Sequence, residues 1–245
     1  MFRFLVILAI MFPNFAYGYE CSREIDLAAT QTGIQFYCRV SSIPYMASNI
    51  NAENAPQTMI NDVEYPLKVF VDSYNKEFLK RFAKSINLVY NLTYNNSKVG
   101  GLSNGSVVYI NLNDYSYDYK NTFYSRALNH EFSSNLYRAL SYKEKNEWMK
   151  ISNSYDSSEE YMSKCLTNGT FYRQNDKNIL KAGFLSYYAL TNPENDFNVY
   201  AERLFGKDNN LKNYAQNYPK VKAKLELMKK FYRTYGFTKN FPDET

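Results

Sequence analysis

An α+β fold is predicted by three features of the chain: strand-like runs early, long helix-like segments late, and enough apolar bulk for one core. The runs Leu67–Val71 (LKVFV), Ile86–Tyr94 (INLVYNLTY) and Ser106–Asn113 (SVVYINLN) are rich in β-branched and aromatic residues, as strands are. Apolar residues at helical spacing dominate after Phe123. Strands first and helices later argue for segregated α+β layers rather than a doubly wound sheet. The 245 residues suit one domain, and 17 Phe with 25 Tyr supply buriable surface, which argues against disorder.

The first 18 residues read as a cleavable signal peptide. Arg3 forms a short basic start, Phe4–Phe12 (FLVILAIMF) is an unbroken apolar run, and Pro13 ends it. Ala16 and Gly18 supply small residues at the −3 and −1 positions of a cut. The run is too short for a membrane anchor, and no later stretch is longer. Residues 19–245 are therefore expected to form a single domain, secreted or periplasmic, with no stable membrane insertion. Segment 19–60 is hard to read.

In an oxidising compartment, a Cys21–Cys38 bridge is the economical pairing, with Cys165 left over as a buried thiol. Sequence alone leaves that pairing open. Sequons stand at Asn91, Asn95, Asn104 and Asn168. The formal charge of +5 is mild, and no basic cluster is interleaved with aromatics, so nucleic acid is not an expected partner. The oligomeric state is not legible.

Further along, Ser73 is expected to cap a helix over Asn75–Ser85, where Phe78, Leu79 and Phe82 recur at helical spacing. Gly100-Gly101 and Asn104-Gly105 mark turns. Helices are expected at Phe123–Leu140, Tyr142–Ile151, near Glu159–Cys165, at Phe197–Phe205 and at Tyr218–Tyr235. The last contains KVKAKLELMKK and reads as a solvated outer helix with Val221, Leu225 and Met228 on its apolar side. Alternating Tyr115, Tyr117 and Tyr119 could line a groove or simply a surface.

The chemistry-bearing stretch is His130-Glu131-Phe132-Ser133-Ser134, on a helix whose core stripe is Leu128, Phe132, Leu136 and Leu140. In His-Glu-x-x-His helices, two imidazoles four residues apart bind one zinc, and the Glu activates the bound water. Here the second position is Ser134, and His130 is the single histidine of the chain. Serine-hydrolase and Cys–His alternatives lack any local signature.

Downstream, Gly183-Phe184-Leu185-Ser186-Tyr187-Tyr188-Ala189-Leu190-Thr191-Asn192-Pro193-Glu194-Asn195-Asp196-Phe197 completes a pattern. Together the two segments resemble the gluzincin-type zinc metallopeptidases of the zinc-binding, anthrax-lethal-factor-like kind, over roughly Leu67–Phe205. The resemblance implies a zincin-like fold: a small mixed sheet whose edge strand, taken as SVVYINLN, lies beside the active-site-type helix, followed by a mostly helical C-terminal part. It implies that Tyr188 matches an oxyanion tyrosine, that Asn195 stands at the third-ligand position, and that Val199 replaces an outer carboxylate. Glu194 and Asp196 become the acid if the register slips.

On this resemblance His130, Glu131 and Tyr188 persist as vestiges, while Ser134 and Asn195 are degenerate ligands. The expected protein is a catalytically inactive pseudopeptidase with no cofactor, able to hold an extended peptide or protein. The alternatives are a zinc peptidase with an altered ligand set, and a structural or surface protein that uses only the fold's exterior.

Overall fold

The computed structural model describes residues 21–113, 117–152, 154–156, 158, 161 and 176–244, and for 117–120 the backbone alone. The expected signal peptide, Cys165, Asn168, Tyr115, the side chains of Tyr117 and Tyr119, and most of the helix near Glu159–Cys165 lie outside the described residues. No helix among those described is long and apolar enough to cross a membrane.

The segment that resisted reading opens the fold. It forms α1 (Arg23–Thr32), β1 (Gln35–Tyr37), a 3₁₀ turn and β2 (Ile50–Asn54). Cys21 and Cys38 are joined by a disulfide, with Cα atoms 5.4 Å apart. It ties the start of α1 to the end of β1, as the pairing by proximity anticipates.

Leu67–Val71 is not a strand. It lies in α2 (Gln57–Ser73), where Ile60, Val63, Leu67, Phe70 and Val71 form one buried stripe. A five-residue apolar run cannot by itself separate strand from buried helix, and the stripe upstream decides it. Ser73 likewise closes α2, its hydroxyl donating to the Val69 carbonyl at 2.7 Å. The following helix, α3 (Lys76–Phe82), buries Phe78, Leu79 and Phe82 as expected but takes Asn75 as its first cap position.

The sheet is built on β3 (Ser85–Tyr94), which pairs in parallel with β1 and with β6 (Val107–Asn111). It also pairs antiparallel with β2 and with the short β4 (Ser97–Lys98). A hairpin through Asn104-Gly105, with Gly105 at φ 65°, joins β5 (Gly101–Asn104) antiparallel to β6. Successive residues serve opposite faces. Ile86, Leu88, Val108 and Ile110 enter the main core, while Val89 and Tyr109 form a smaller cluster with Ile50 and Leu92. SVVYINLN is therefore interior, and the edge strand is β5.

The register makes this edge specific. The Asn111 amide donates to the Gly100 carbonyl at 3.0 Å. Alternation in an antiparallel ladder then bonds Leu102 to Tyr109 and Asn104 to Val107, and turns the backbone groups of Gly101 and Ser103 outward.

Helices fill the main face: α4 (Tyr117–Ala139), α5 (Tyr142–Ile151), α6 (Lys177–Ala182), α7 (Pro193–Phe205), α8 (Asn209–Asn217) and α9 (Pro219–Thr234). A Ser141–Glu144 capping box starts α5, and Asn192 with Pro193 starts α7. α4 packs along both α2 and α7. Around them Phe70, Tyr74, Phe78, Phe132, Phe205, Tyr232 and Phe237 form a continuous aromatic core, with Tyr74 donating to Asn129 Oδ1 at 2.8 Å.

α9 is more than a solvated outer helix. Val221, Leu225 and Met228 are buried as expected, but so is Lys224. Its Nζ lies 2.5 Å from Asp196 Oδ2, and both side chains are fully buried. The same oxygen accepts from Trp148 Nε1 at 2.9 Å and from the Tyr155 hydroxyl at 2.8 Å. The ammonium sits 4.2 Å from the centre of the Phe184 ring. Sequence periodicity places Lys224 beside the apolar stripe but says nothing of a buried partner 28 residues away.

Two stability outcomes follow. Lys224→Met leaves Asp196 buried without its cation and lowers the unfolding free energy by about 3–5 kcal/mol in urea titration. Replacing both as Asp196→Leu/Lys224→Met costs less than that single change. The second concerns Asp208, which is ion-paired with Arg203 and accepts from the Asn210 amide at 2.9 Å. Burial acts to raise its carboxyl, but the Asn210 amide and Arg203 outweigh it and hold the group below its usual value. A lowered folded value stabilises fully above the unfolded one and is lost as pH falls through the folded one. Asp208→Asn is therefore less stable at pH 7 by about 1.5–3 kcal/mol and loses less stability than the native chain on acidification.

Candidate active site

α4 and α7 run antiparallel, and their facing side chains make a row of three contacts. His130 Nδ1 lies 3.3 Å from Glu202 Oε2. One turn on, Asn198 Nδ2 donates to Ser134 Oγ at 2.6 Å. Another turn on, Arg138 Nη2 donates to Glu194 Oε1 at 2.7 Å. Four-residue steps on each helix produce this spacing. The expected core stripe of Leu128, Phe132, Leu136 and Leu140 is buried, which fixes the rotation of α4 and presents His130 and Ser134 to α7.

The middle contact is a closed cluster. Ser133 Oγ lies 2.7 Å from Asn198 Oδ1 and 2.9 Å from the His130 carbonyl. Ser133, Ser134 and Asn198 are all buried. The amide thus bridges two neighbouring hydroxyls on α4, one through each end.

Glu131 points the other way, under the edge strand. A Cβ on Gly101 would lie 2.7 Å from Glu131 Cγ and Oε1, so glycine is what admits the carboxyl there. Burial pushes this carboxyl up to about 7, against the opposing charges of His130 and Arg138. For His130, burial favours the neutral ring, but the Glu202 hydrogen bond and the carboxylates of Glu131, Glu202 and Glu194 raise it above its usual value. Tyr188 opens a 3₁₀ turn, Tyr188–Thr191, and its ring centre lies 5.6 Å from that of His130. His130 is thus placed against Tyr188 and Glu202, while Glu131 lies beneath Gly101 of β5.

The other expected residues are elsewhere. Asn195 lies in the first turn of α7, where its Nδ2 donates to Thr191 Oγ1 at 2.8 Å and its amide is capped by Asn192. Glu194 is held by Arg138, and Val199 is buried in the core. Asp196 is the core partner of Lys224 and faces away from His130 chemistry altogether. The α7 residues that reach the α4 site are Asn198 and Glu202, which the sequence reading missed. Their four-residue spacing, mirroring 130 and 134 in reverse order, is the signal that would have found them.

Among the described residues, the donor set opposite His130 and Ser134 does not fit zinc. Catalytic zinc takes three protein ligands from His, Glu, Asp or Cys. Here one imidazole and the carboxylate of Glu202 are bonded to each other, and the remaining groups are a hydroxyl and an amide already satisfied. Among the described residues no group of three His, Cys, Asp or Glu side chains could hold a metal.

Comparison with known proteins gives the family and the fold. No curated protein matches the chain. A crystal structure described as a "putative zinc-binding metallo-peptidase" from Bacteroides caccae ATCC 43185 matches with a TM-score of 0.53 and 17% identity, over 88% of each chain, and shares the fold. A family model described as "Putative zinc-binding metallo-peptidase" matches residues 45–240. The chain therefore belongs to the zinc-binding metallo-peptidase family that this model describes.

Proposed function

We propose that the chain is an exported zincin-like pseudopeptidase, a degenerate gluzincin, that holds an extended polypeptide along β5 without cleaving it. The observation that carries this reading is the Ser133–Asn198–Ser134 cluster. It puts neutral, mutually satisfied groups where a peptidase needs imidazole and carboxylate. A water without a metal keeps its ordinary pKa, and Glu131 alone does not supply the missing Lewis acid. Export is supported by the apolar run Phe4–Phe12 and by the Cys21–Cys38 bridge, which suits an oxidising compartment.

The binding surface is the open edge of β5. Gly101 offers an outward amide and carbonyl, and an added strand gains affinity from such main-chain bonds. A cavity of about 420 Å³ adjoins this edge, bounded by Ile50, Tyr94, Leu102 and Arg138 among others. At Ser103, however, the outward carbonyl already accepts from Arg138 Nη1 at 2.9 Å. Inward-pointing charges of this kind protect free strand edges. The cleft is thus open at Gly101 and closed at Ser103.

Residues 19–245, dialysed against trace zinc and measured by elemental analysis, retain no stoichiometric metal. One zinc per chain would instead restore the rival reading, a metal-dependent peptidase with an altered ligand set. A labelled library of random decapeptides shows saturable binding by fluorescence anisotropy. Arg138→Ala tightens it by roughly five-fold, the worth of a carbonyl freed for about 1 kcal/mol of pairing. Absence of binding to both proteins favours the third reading, a surface protein that uses only the exterior.

A further inference from the structure

The row of contacts between α4 and α7 carries more than the absence of a ligand set. Glu202 takes Nδ1 of His130, which leaves Nε2 as the ring nitrogen outside that contact. Metal-ligating histidines are held in this way, one ring nitrogen bonded to a carboxylate and the other on the metal. One turn along α4 stands Ser134, and the side chain in direct contact with it from α7 is Asn198, at 2.6 Å. Asn195, by contrast, is bonded back to Thr191. Among the described residues it has no hydrogen bond to any α4 side chain.

We infer that Asn198 stands at the third-donor position of the former metal site, and that its amide, bridging Ser133 and Ser134, is a clamp that joins α4 to α7 in the metal's place. This rests on the reading of the site as a dismantled metal centre. A bound metal ties two helices together by sharing ligands between them. The amide does the same with one acceptor and one donor, each satisfied by a buried hydroxyl and neither exposed to competing water. The geometry for a metal would then be latent: His130 and its orienting carboxylate are in place, and two side chains are missing.

The test compares Ser134→His/Asn198→Glu, Ser134→His/Asn195→Glu and Ser134→His alone, all in residues 19–245. Each is loaded with zinc, gel-filtered and analysed for metal, and melted with and without chelator. The expected result is one zinc per chain for the Asn198 variant, with a melting temperature that falls on chelation. The Asn195 variant retains no more than Ser134→His alone. Equal or greater zinc in the Asn195 variant overturns the assignment. So does an Asn198 variant that is metal-free, whether it is folded by circular dichroism or cannot be refolded with zinc present.

The clamp is tested separately. Asn198→Ala lowers the melting temperature of the otherwise native chain more than Asn195→Ala does, and the reverse order removes it. Zinc bound by the unaltered chain would instead defeat the functional reading, while the contrast between positions 198 and 195 would still read the donor register.

Discussion

The antiparallel contact of α4 with α7 is the constraint on which the site depends. Each helix contributes a core stripe, Leu128, Phe132 and Leu136 from one and Phe197, Tyr200, Ala201 and Leu204 from the other. Once these are buried, rotation and register are set, because side chains repeat every three to four residues. Nothing else is needed to bring position 130 opposite 202 and 134 opposite 198. The arrangement of polar groups between the two helices is a consequence of that packing. A hydroxyl and an amide fill the space as well as an imidazole and a carboxylate would, provided each polar atom finds a partner.

The sheet supplies the second boundary. β5 lies over α4, and Gly101 is the point of closest approach, where a larger residue would meet Glu131. Ser103 is anchored from below by Asn135 at 3.1 Å and from the side by Arg138. Arg138 in turn is held by Glu194 at the start of α7. β5, α4 and α7 are therefore linked by one chain of hydrogen bonds, in which an ion pair between two helices holds the arginine that covers the Ser103 carbonyl.

Much of this was legible in the sequence, and the unread part has physical reasons. The helix carrying His130, its core stripe, β3, the Asn104-Gly105 turn and α5 were readable because each is long, strongly periodic or marked by turn chemistry. Leu67–Val71 was misread because a short apolar run has no period of its own. The edge strand was misplaced because Gly101–Asn104 is only four residues long and begins with glycine, so it carries almost no strand signal. Asn195 was placed at the site by matching a linear motif, whereas the residue that faces Ser134 is decided by helix register, three residues further on. Asp196 and Lys224 illustrate the limit most plainly. No local pattern announces that an acid beside one site residue belongs to the core, because its partners come from α5, from Tyr155 and from α9.

His130 and Glu131 each have a structural place of their own. His130 sits opposite a carboxylate that its loss would leave unmatched. Removing the imidazole would leave Glu202 without its donor, and Glu131 fills the hollow that Gly101 provides. Their presence is accounted for by local packing and does not by itself argue for turnover. Ser133, Ser134 and Asn198 form a neutral set, in which the amide oxygen meets one hydroxyl and one N–H of the amide meets the other. Such a set is stable as it stands, and inserting one charged ligand into it would strand the other members. A metal held at these positions would therefore require paired changes on both helices.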